Sequence, residues 1–265
     1  MKIVKIGTLI LAMMTSFAGH AGLILRDGGL IYDQEQNLTW LMDANLAKTS
    51  AWAGDNLGAG ARPNGNGQLN WDAANRWAQH LNISGFNEWR LPSLSVTDTN
   101  NSGFQDCDFA LNGGTDCGTN VLVENSELAF LFYQQLSNDS ICDPLSSGVY
   151  SCVAPAQRDG FNSNFIDALT GEESGFDNFL ASGYWLNQEY ALDTSRAWAF
   201  TTNSGAQSLL NKEQYRFAIA VHEGDIASVN TTRFANTMRV PETHTSMLFG
   251  LALAGLMLRG QRQRR

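Results

Sequence analysis

Asn70-Trp71-Asp72-Ala73-Ala74-Asn75-Arg76-Trp77-Ala78-Gln79-His80-Leu81 is the stretch whose periodicity decides the fold class. Trp71, Ala74, Trp77, Ala78 and Leu81 recur at helical spacing and share one face. Asn70 has the short oxygen-bearing side chain of an N-cap, and Asp72 falls in the first turn, where the helix dipole favours negative charge. An amphipathic helix of about three turns is predicted. Further on, Ser126-Glu127 caps a second helix whose apolar positions are Leu128, Leu131, Phe132 and Leu136.

Strand patterns flank this helical middle. Leu23 to Arg26, a turn at Asp27-Gly28-Gly29, Leu30 to Tyr32, a polar turn through Asp33 to Asn37, and Leu38 to Met42 read as a small β-meander. At the other end Tyr184 to Asn187, Ala197 to Thr201 and Tyr215 to Val221 read as strands, the last with Phe217, Ile219 and Val221 at alternate positions. Between them lie a Gly/Asn-rich loop over 54–67 and two long polar excursions, 97–125 and 137–183. The sum is an α+β domain: two helices, small antiparallel sheets and long loops. Loops of that length commonly carry function, so a binding surface is expected within 95–183.

Each excursion holds one pair of cysteines, Cys107 with Cys117 and Cys142 with Cys152, separated by identical gaps. Four cysteines allow three connectivities, and the local pairing is the one that staples each polar excursion, at about 2–4 kcal/mol per bridge. A metal site is the competing reading, but the chain has no Cys-x-x-Cys spacing and no nearby histidine pair.

The two ends point out of the cytosol. Lys2 and Lys5 precede an uncharged apolar stretch from Ile6 to Phe17, and Gly19-His20-Ala21 offers the small residues of a signal-peptidase site, so residues 1–21 read as a signal peptide cleaved after Ala21. Residues 22–230 then form one domain and 231–240 a linker. The C-terminus carries Val240-Pro241-Glu242-Thr243-His244, an apolar run from Met247 to Leu258, and Arg259, Arg262, Arg264 and Arg265, which hold that end on the cytoplasmic side. Twelve residues at about 1.5 Å each reach roughly 18 Å of a roughly 30 Å hydrocarbon core, enough for a sorting step and short for a permanent anchor. Between the basic ends, residues 22–238 carry 25 acidic against 10 basic side chains, a net of −15 where the whole chain has −9. Such a body repels phosphate backbones, which argues against nucleic acid as a partner.

Candidate chemistry is sparse. Asp98, Asn100, Ser102 and Asp106 bracket Gly103 in the alternating pattern by which a loop wraps calcium, although Phe109 stands where the bidentate Glu belongs; a solvated loop pinned by Cys107 is the alternative. Trp71 and Trp77 on the helix face and Trp40, Trp185 and Trp198 in strand alternation read as core, which leaves Trp52, in a Gly/Ala-rich loop, as the candidate for stacking on a sugar. His80 sits near a helix end, where its charge suits the dipole, and His222 has no nucleophile motif beside it. Glu88 is expected to pair with Arg90 or with solvent.

Taken together, Leu38-Thr39-Trp40, Asn70-Trp71-Asp72-Ala73-Ala74, Trp89-Arg90-Leu91-Pro92, Ser126-Glu127-Leu128-Ala129, Tyr184-Trp185 and Ala220-Val221-His222-Glu223-Gly224-Asp225 resemble the Lcl C-terminal domain family of secreted bacterial proteins. The resemblance implies a C-type-lectin-like fold, related in shape to the formylglycine-generating enzymes, and for some members adhesion to glycans. His222 stands where the family often has Arg, and the Glu-Pro-Asn triplet of calcium-dependent lectins is absent. The tail resembles the PEP-CTERM sorting signal, with Val240-Pro241-Glu242 in place of Pro-Glu-Pro. That likeness implies processing by an exosortase-like enzyme in a Gram-negative envelope and an association with extracellular polysaccharide. The expectation is an exported, surface- or matrix-associated, non-enzymatic binding module for glycan, with calcium as the one candidate cofactor. The alternatives are a matrix protein without specific ligand, or an oxidoreductase of the formylglycine-generating type, which needs two free thiols.

Overall fold

The computed structural model describes residues 22–49, 63–96, 107–144, 150–154 and 160–226. In chain order its elements are β1 (Leu23–Arg26), β2 (Leu30–Asp33), β3 (Leu38–Leu41), α1 (Leu46–Thr49), α2 (Trp71–Gln79), β4 (Phe109–Ala110), β5 (Cys117–Thr119) and α3 (Glu127–Phe130). Then follow β6 (Cys142–Pro144), β7 (Tyr150–Cys152), β8 (Asn164–Ile166), β9 (Glu173–Gly175), β10 (Gly183–Glu189), β11 (Arg196–Thr201), β12 (Ala206–Asn211) and β13 (Val221–Glu223). The architecture is mixed α+β, made mostly of small antiparallel sheets with few helices. The chain divides into two units, Met1–Ala227 and Ser228–Arg265, and every described residue belongs to the first.

The meander forms as its turns dictate. β1, β2 and β3 pair antiparallel with Ile24 opposite Tyr32 and Ile31 opposite Trp40. The last strand, β13, returns to close this sheet on β3, placing Val221 opposite Trp40 in the order β1-β2-β3-β13. The second sheet runs β10-β11-β12-β5-β4, antiparallel except for the β4–β5 pair. Within β5, Gly118 is held at φ +114°, and a Cβ there would lie 1.7 Å from the Ala110 carbonyl oxygen, so only glycine lets β4 and β5 approach.

Both sheets are buried on two faces, and side-chain size decides which element covers each. Trp40, Tyr184, Leu186, Trp198, Phe200 and Ile219 enter one core with Leu128, Leu131 and Phe132. Leu41, Trp185, Ala197, Ala199, Ala218 and Ala220 enter the other with Ala73, Ala74, Trp77 and Ala78 of α2. Alanines on both sides of that second interface let the helix lie close to the sheet, and Trp77 fills the space they leave. The cap of α2 is the predicted one: Asn70 Oδ1 accepts the Ala73 N–H at 2.9 Å. Two indoles fasten the helix region to β10 and its approach: Trp71 Nε1 donates to the Leu186 carbonyl at 2.8 Å and Trp185 Nε1 to the Leu69 carbonyl at 2.9 Å. Of the tryptophans expected in the core, Trp40, Trp77, Trp185 and Trp198 are buried, while Trp71 is half-buried and carries the Lys212 ammonium 4.2 Å from its ring centroid.

Three departures from the sequence reading have structural causes. β12, Ala-Gln-Ser-Leu-Leu-Asn, has no β-branched residue to mark it and forms because the Thr202–Gly205 turn folds it onto β11. Tyr215–Val221 is not a continuous strand. Its backbone bonds are shared among neighbours: Arg216 bridges Leu69, Phe217 bridges Tyr184, and Val221 bridges Arg90. Glu88 lies at φ +66°, and its neighbour Arg90 turns instead to Glu127, at 2.7 and 2.8 Å, and to Glu223.

Both cystines have the local pairing, Cys107–Cys117 and Cys142–Cys152, the second joining directly opposed residues of the β6–β7 hairpin. Among the described residues no helix is long and apolar enough to cross a membrane. The run 247–258, the signal region 1–21 and the motif Val240-Pro241-Glu242 lie outside those residues.

Candidate functional site

The site is set up by an irregularity in the second helix. Ser126 caps it as predicted, its Oγ accepting the Ala129 N–H, but after Phe130 the backbone widens: Leu136 N–H bonds to the Leu131 carbonyl at 2.9 Å, five residues back. The wide turn Leu131–Gln135 shifts the residues after it and aims Gln135 back at the meander. Its Nε2 donates to Asp33 Oδ1 at 3.1 Å.

Against this turn lies a cleft of about 580 Å³, walled by Gly22 and Leu23, by Gln135 to Ser137, and by the β8–β9 hairpin with Asn162, Asn164 and Glu173. Leu23, Leu136 and Phe165 are buried apolar lining, while Ile166 stands 61 % exposed. The polar lining is held by its own bonds. Asn162 is clamped to Asn138 by two bonds of 2.8 Å, and its Nδ2 donates to the carbonyls of Leu136 at 2.9 Å and Asn164 at 3.1 Å. Its Oδ1 accepts the Asn164 N–H at 2.9 Å. Asn164 Nδ2 in turn donates to Glu173 Oε1 at 3.2 Å. Asn164 lies over Gly175, where a Cβ would come within 2.5 Å of its Oδ1. Polar groups fixed in advance lose little freedom when a ligand arrives.

Behind Gln135, Asp33 is fully buried at the end of β2. Loss of water pushes its carboxyl up to about 6, against the lowering effect of the Gln36 and Glu35 N–H groups that bond to Oδ1 at 3.1 and 2.9 Å. The Trp40 indole is close enough to lower the same carboxyl without reaching bonding geometry, and Asp33 Oδ2, Gln36 Oε1 and Trp40 Nε1 have no partner. Across the cleft wall Asp167 behaves oppositely. Burial pushes it up, but the N–H groups of Leu25, Thr170 and Leu169 and the Thr170 hydroxyl outweigh burial and hold it below the usual carboxylate range. It ties β1 to the β8–β9 turn and so fixes the cleft's width.

The Arg90–Glu127–Glu223 cluster is a framework joint rather than a site. Burial works against the guanidinium's charge, yet the two carboxylates raise its pKa, and Glu127 Oε2 also accepts the Ser93 N–H at 2.7 Å. His80 caps α2, its Nδ1 2.8 Å from the Arg76 carbonyl, and His222 packs edge-on to Trp89 with centroids 5.5 Å apart. Neither lines the cleft.

Trp52 and the calcium-pattern residues Asp98, Asn100, Ser102 and Asp106 lie outside the described residues. Among those described, no group of three His, Cys, Asp or Glu is placed to hold a metal ion. Most of the cleft lies within the expected segment 95–183, but Gln135, Asn162, Asn164 and Glu173 had no motif to single them out. The Asn-x-Asn spacing at 162 and 164 is the one trace they leave. Comparisons with family models, with curated proteins and with solved structures find no match to this chain.

Proposed function

We propose that this protein is an exported, non-enzymatic binding module that takes a glycan in the cleft between β1, the wide turn and the β8–β9 hairpin. The observation that carries the reading is the lining itself: amide and carboxylate oxygens, pre-set by mutual hydrogen bonds, beside an apolar floor of Leu23, Leu136 and Phe165. Sugars offer the complement, hydroxyls around an apolar ring face. All four cysteines are spent in cystines, which supports a binding role over thiol-based oxidation and suits an oxidising compartment.

A C-type-lectin-like fold of the Lcl C-terminal kind accords with the α+β composition and the cystine-closed loops. The tail 241–265, with its membrane segment 247–258, is proposed to be handled by an exosortase-like enzyme. It leaves the module at the envelope surface or in the extracellular polysaccharide, with Trp52 as an added stacking contact and calcium at Asp98, Asn100, Ser102 and Asp106. The test is a glycan array probed with the purified chain with and without calcium. Binding that is lost in Asn164→Ala is expected, and an array blank under both conditions refutes the proposal.

A further inference from the structure

We infer that Asn112 is a site of spontaneous covalent modification: its side-chain amide cyclises onto the Gly113 nitrogen and opens to aspartate and isoaspartate, while the fold holds the other Asn-Gly pairs of the chain in the amide form. Such pairs stand at 64–65, 66–67 and 112–113. In each, glycine has no side chain to shield its backbone nitrogen from the asparagine before it, so the dipeptide alone does not rank them. The structure does. In the first pair the side chain under attack is tied down: Asn64 Oδ1 accepts the N–H groups of Asn66 and Gln68, both at 3.0 Å, and its Nδ2 donates to Gln68 Oε1 at 2.8 Å. In the second the attacking nitrogen is tied down: the Gly67 N–H donates to the Asn64 carbonyl at 2.8 Å, and Gly67 is buried.

At 112–113 neither restraint operates. Asn112 is exposed, and among the described residues no hydrogen bond engages its side chain or the Gly113 N–H. The fold nevertheless requires glycine here, since Gly113 lies at φ +86° and a Cβ would come within 2.6 Å of the Asn120 carbonyl oxygen. The labile pair is thus imposed by the turn that carries it. In the reaction a base removes the Gly113 amide proton, the nitrogen attacks Asn112 Cγ, the Cγ–Nδ2 bond breaks and ammonia leaves with a proton. Water then opens the cyclic imide at either carbonyl. One opening gives aspartate and the other routes the main chain through the side-chain carboxyl. Either adds a negative charge to the loop closed by Cys107 and Cys117, with water as the only co-reactant.

The test is incubation of the full chain at neutral and mildly alkaline pH, native and in urea, followed by digestion and mass spectrometry of the peptides that hold the three pairs. A hydrogen bond on the attacked or attacking group must break before the ring can close, so in the native chain Asn112 is expected to convert about tenfold faster than Asn64 or Asn66. Conversion should rise with pH, and in urea the three rates should converge. Gln68→Ala, which removes the acceptor of Asn64 Nδ2, should speed conversion at Asn64 and leave that at Asn112 unchanged. Asn64 or Asn66 converting as fast as Asn112 in the native chain, or a ranking that persists undiminished in urea, would overturn the inference.

Discussion

Replacing Asp33 by asparagine isolates one titration from all others in the molecule. The carboxyl titrates near 6 in the folded chain and at 3.8 when exposed, so between those values the folded state keeps a proton that the unfolded state has released. Its contribution to stability is therefore fully present below about 4 and is lost as pH rises through about 6. Two units at about 1.4 kcal/mol each give a loss of about 3 kcal/mol between pH 4 and pH 7. Asp167 and Asp193, both held below their usual range, work in the opposite direction, so the raw pH profile of the protein mixes signs. The difference between variant and parent does not. Asparagine keeps the Oδ1 acceptor used by Glu35, Gln36 and Gln135, cannot ionise, and replaces an Oδ2 that has no partner. Urea unfolding of both proteins from pH 4 to pH 8 should give curves that converge in acid and separate by about 3 kcal/mol above pH 7, the variant being the more stable. A separation that stays constant across the range would refute the burial argument.

Three further outcomes are expected. Glu127→Gln, which removes the forked partner of Arg90 and weakens the Ser93 contact, should cost about 2–3 kcal/mol in chemical unfolding, and a second change of Arg90→Lys should not restore it. Gly118→Ala, driven against the Ala110 carbonyl in a left-handed conformation, should cost more than about 3 kcal/mol and show as a fall in melting temperature well beyond that of Gly114→Ala, whose Cβ would meet nothing within 4 Å. Thiol titration of the native protein should find no reactive cysteine, and reduction should lower the melting point by an amount matching about 2–4 kcal/mol per cystine.

What the sequence disclosed follows from how local each cause is. The α2 helix and the meander were legible because a cap residue, a turn residue and a repeating face all act within a dozen positions. The cystines were legible by spacing. The strand β12 was hidden because its stability comes from the neighbour it folds onto, and Tyr215–Val221 was misread because apolar alternation is the same whether one partner or three take the backbone bonds. The pairing of Arg90 with Glu127 spans 37 positions and had no local mark, whereas the adjacent Glu88 suggested a partner that the backbone turns away. The cleft was harder still. Its polar groups come from Gln135, Asn162, Asn164 and Glu173, and Gln135 is placed among them by a helix turn closed over five residues instead of four.

The return of β13 to β3 sets an order of events for the growing chain. When β3 has emerged it presents an open row of amides and carbonyls, and its proper neighbour, Val221–Glu223, is 180 residues behind it in synthesis. Until then that edge is sticky, and the sheet lacks both its fourth strand and the Arg90 contact with Glu223. A polypeptide whose first layer waits for residues 221–223 to arrive locks that layer shut late, after nearly all of the described domain has been made.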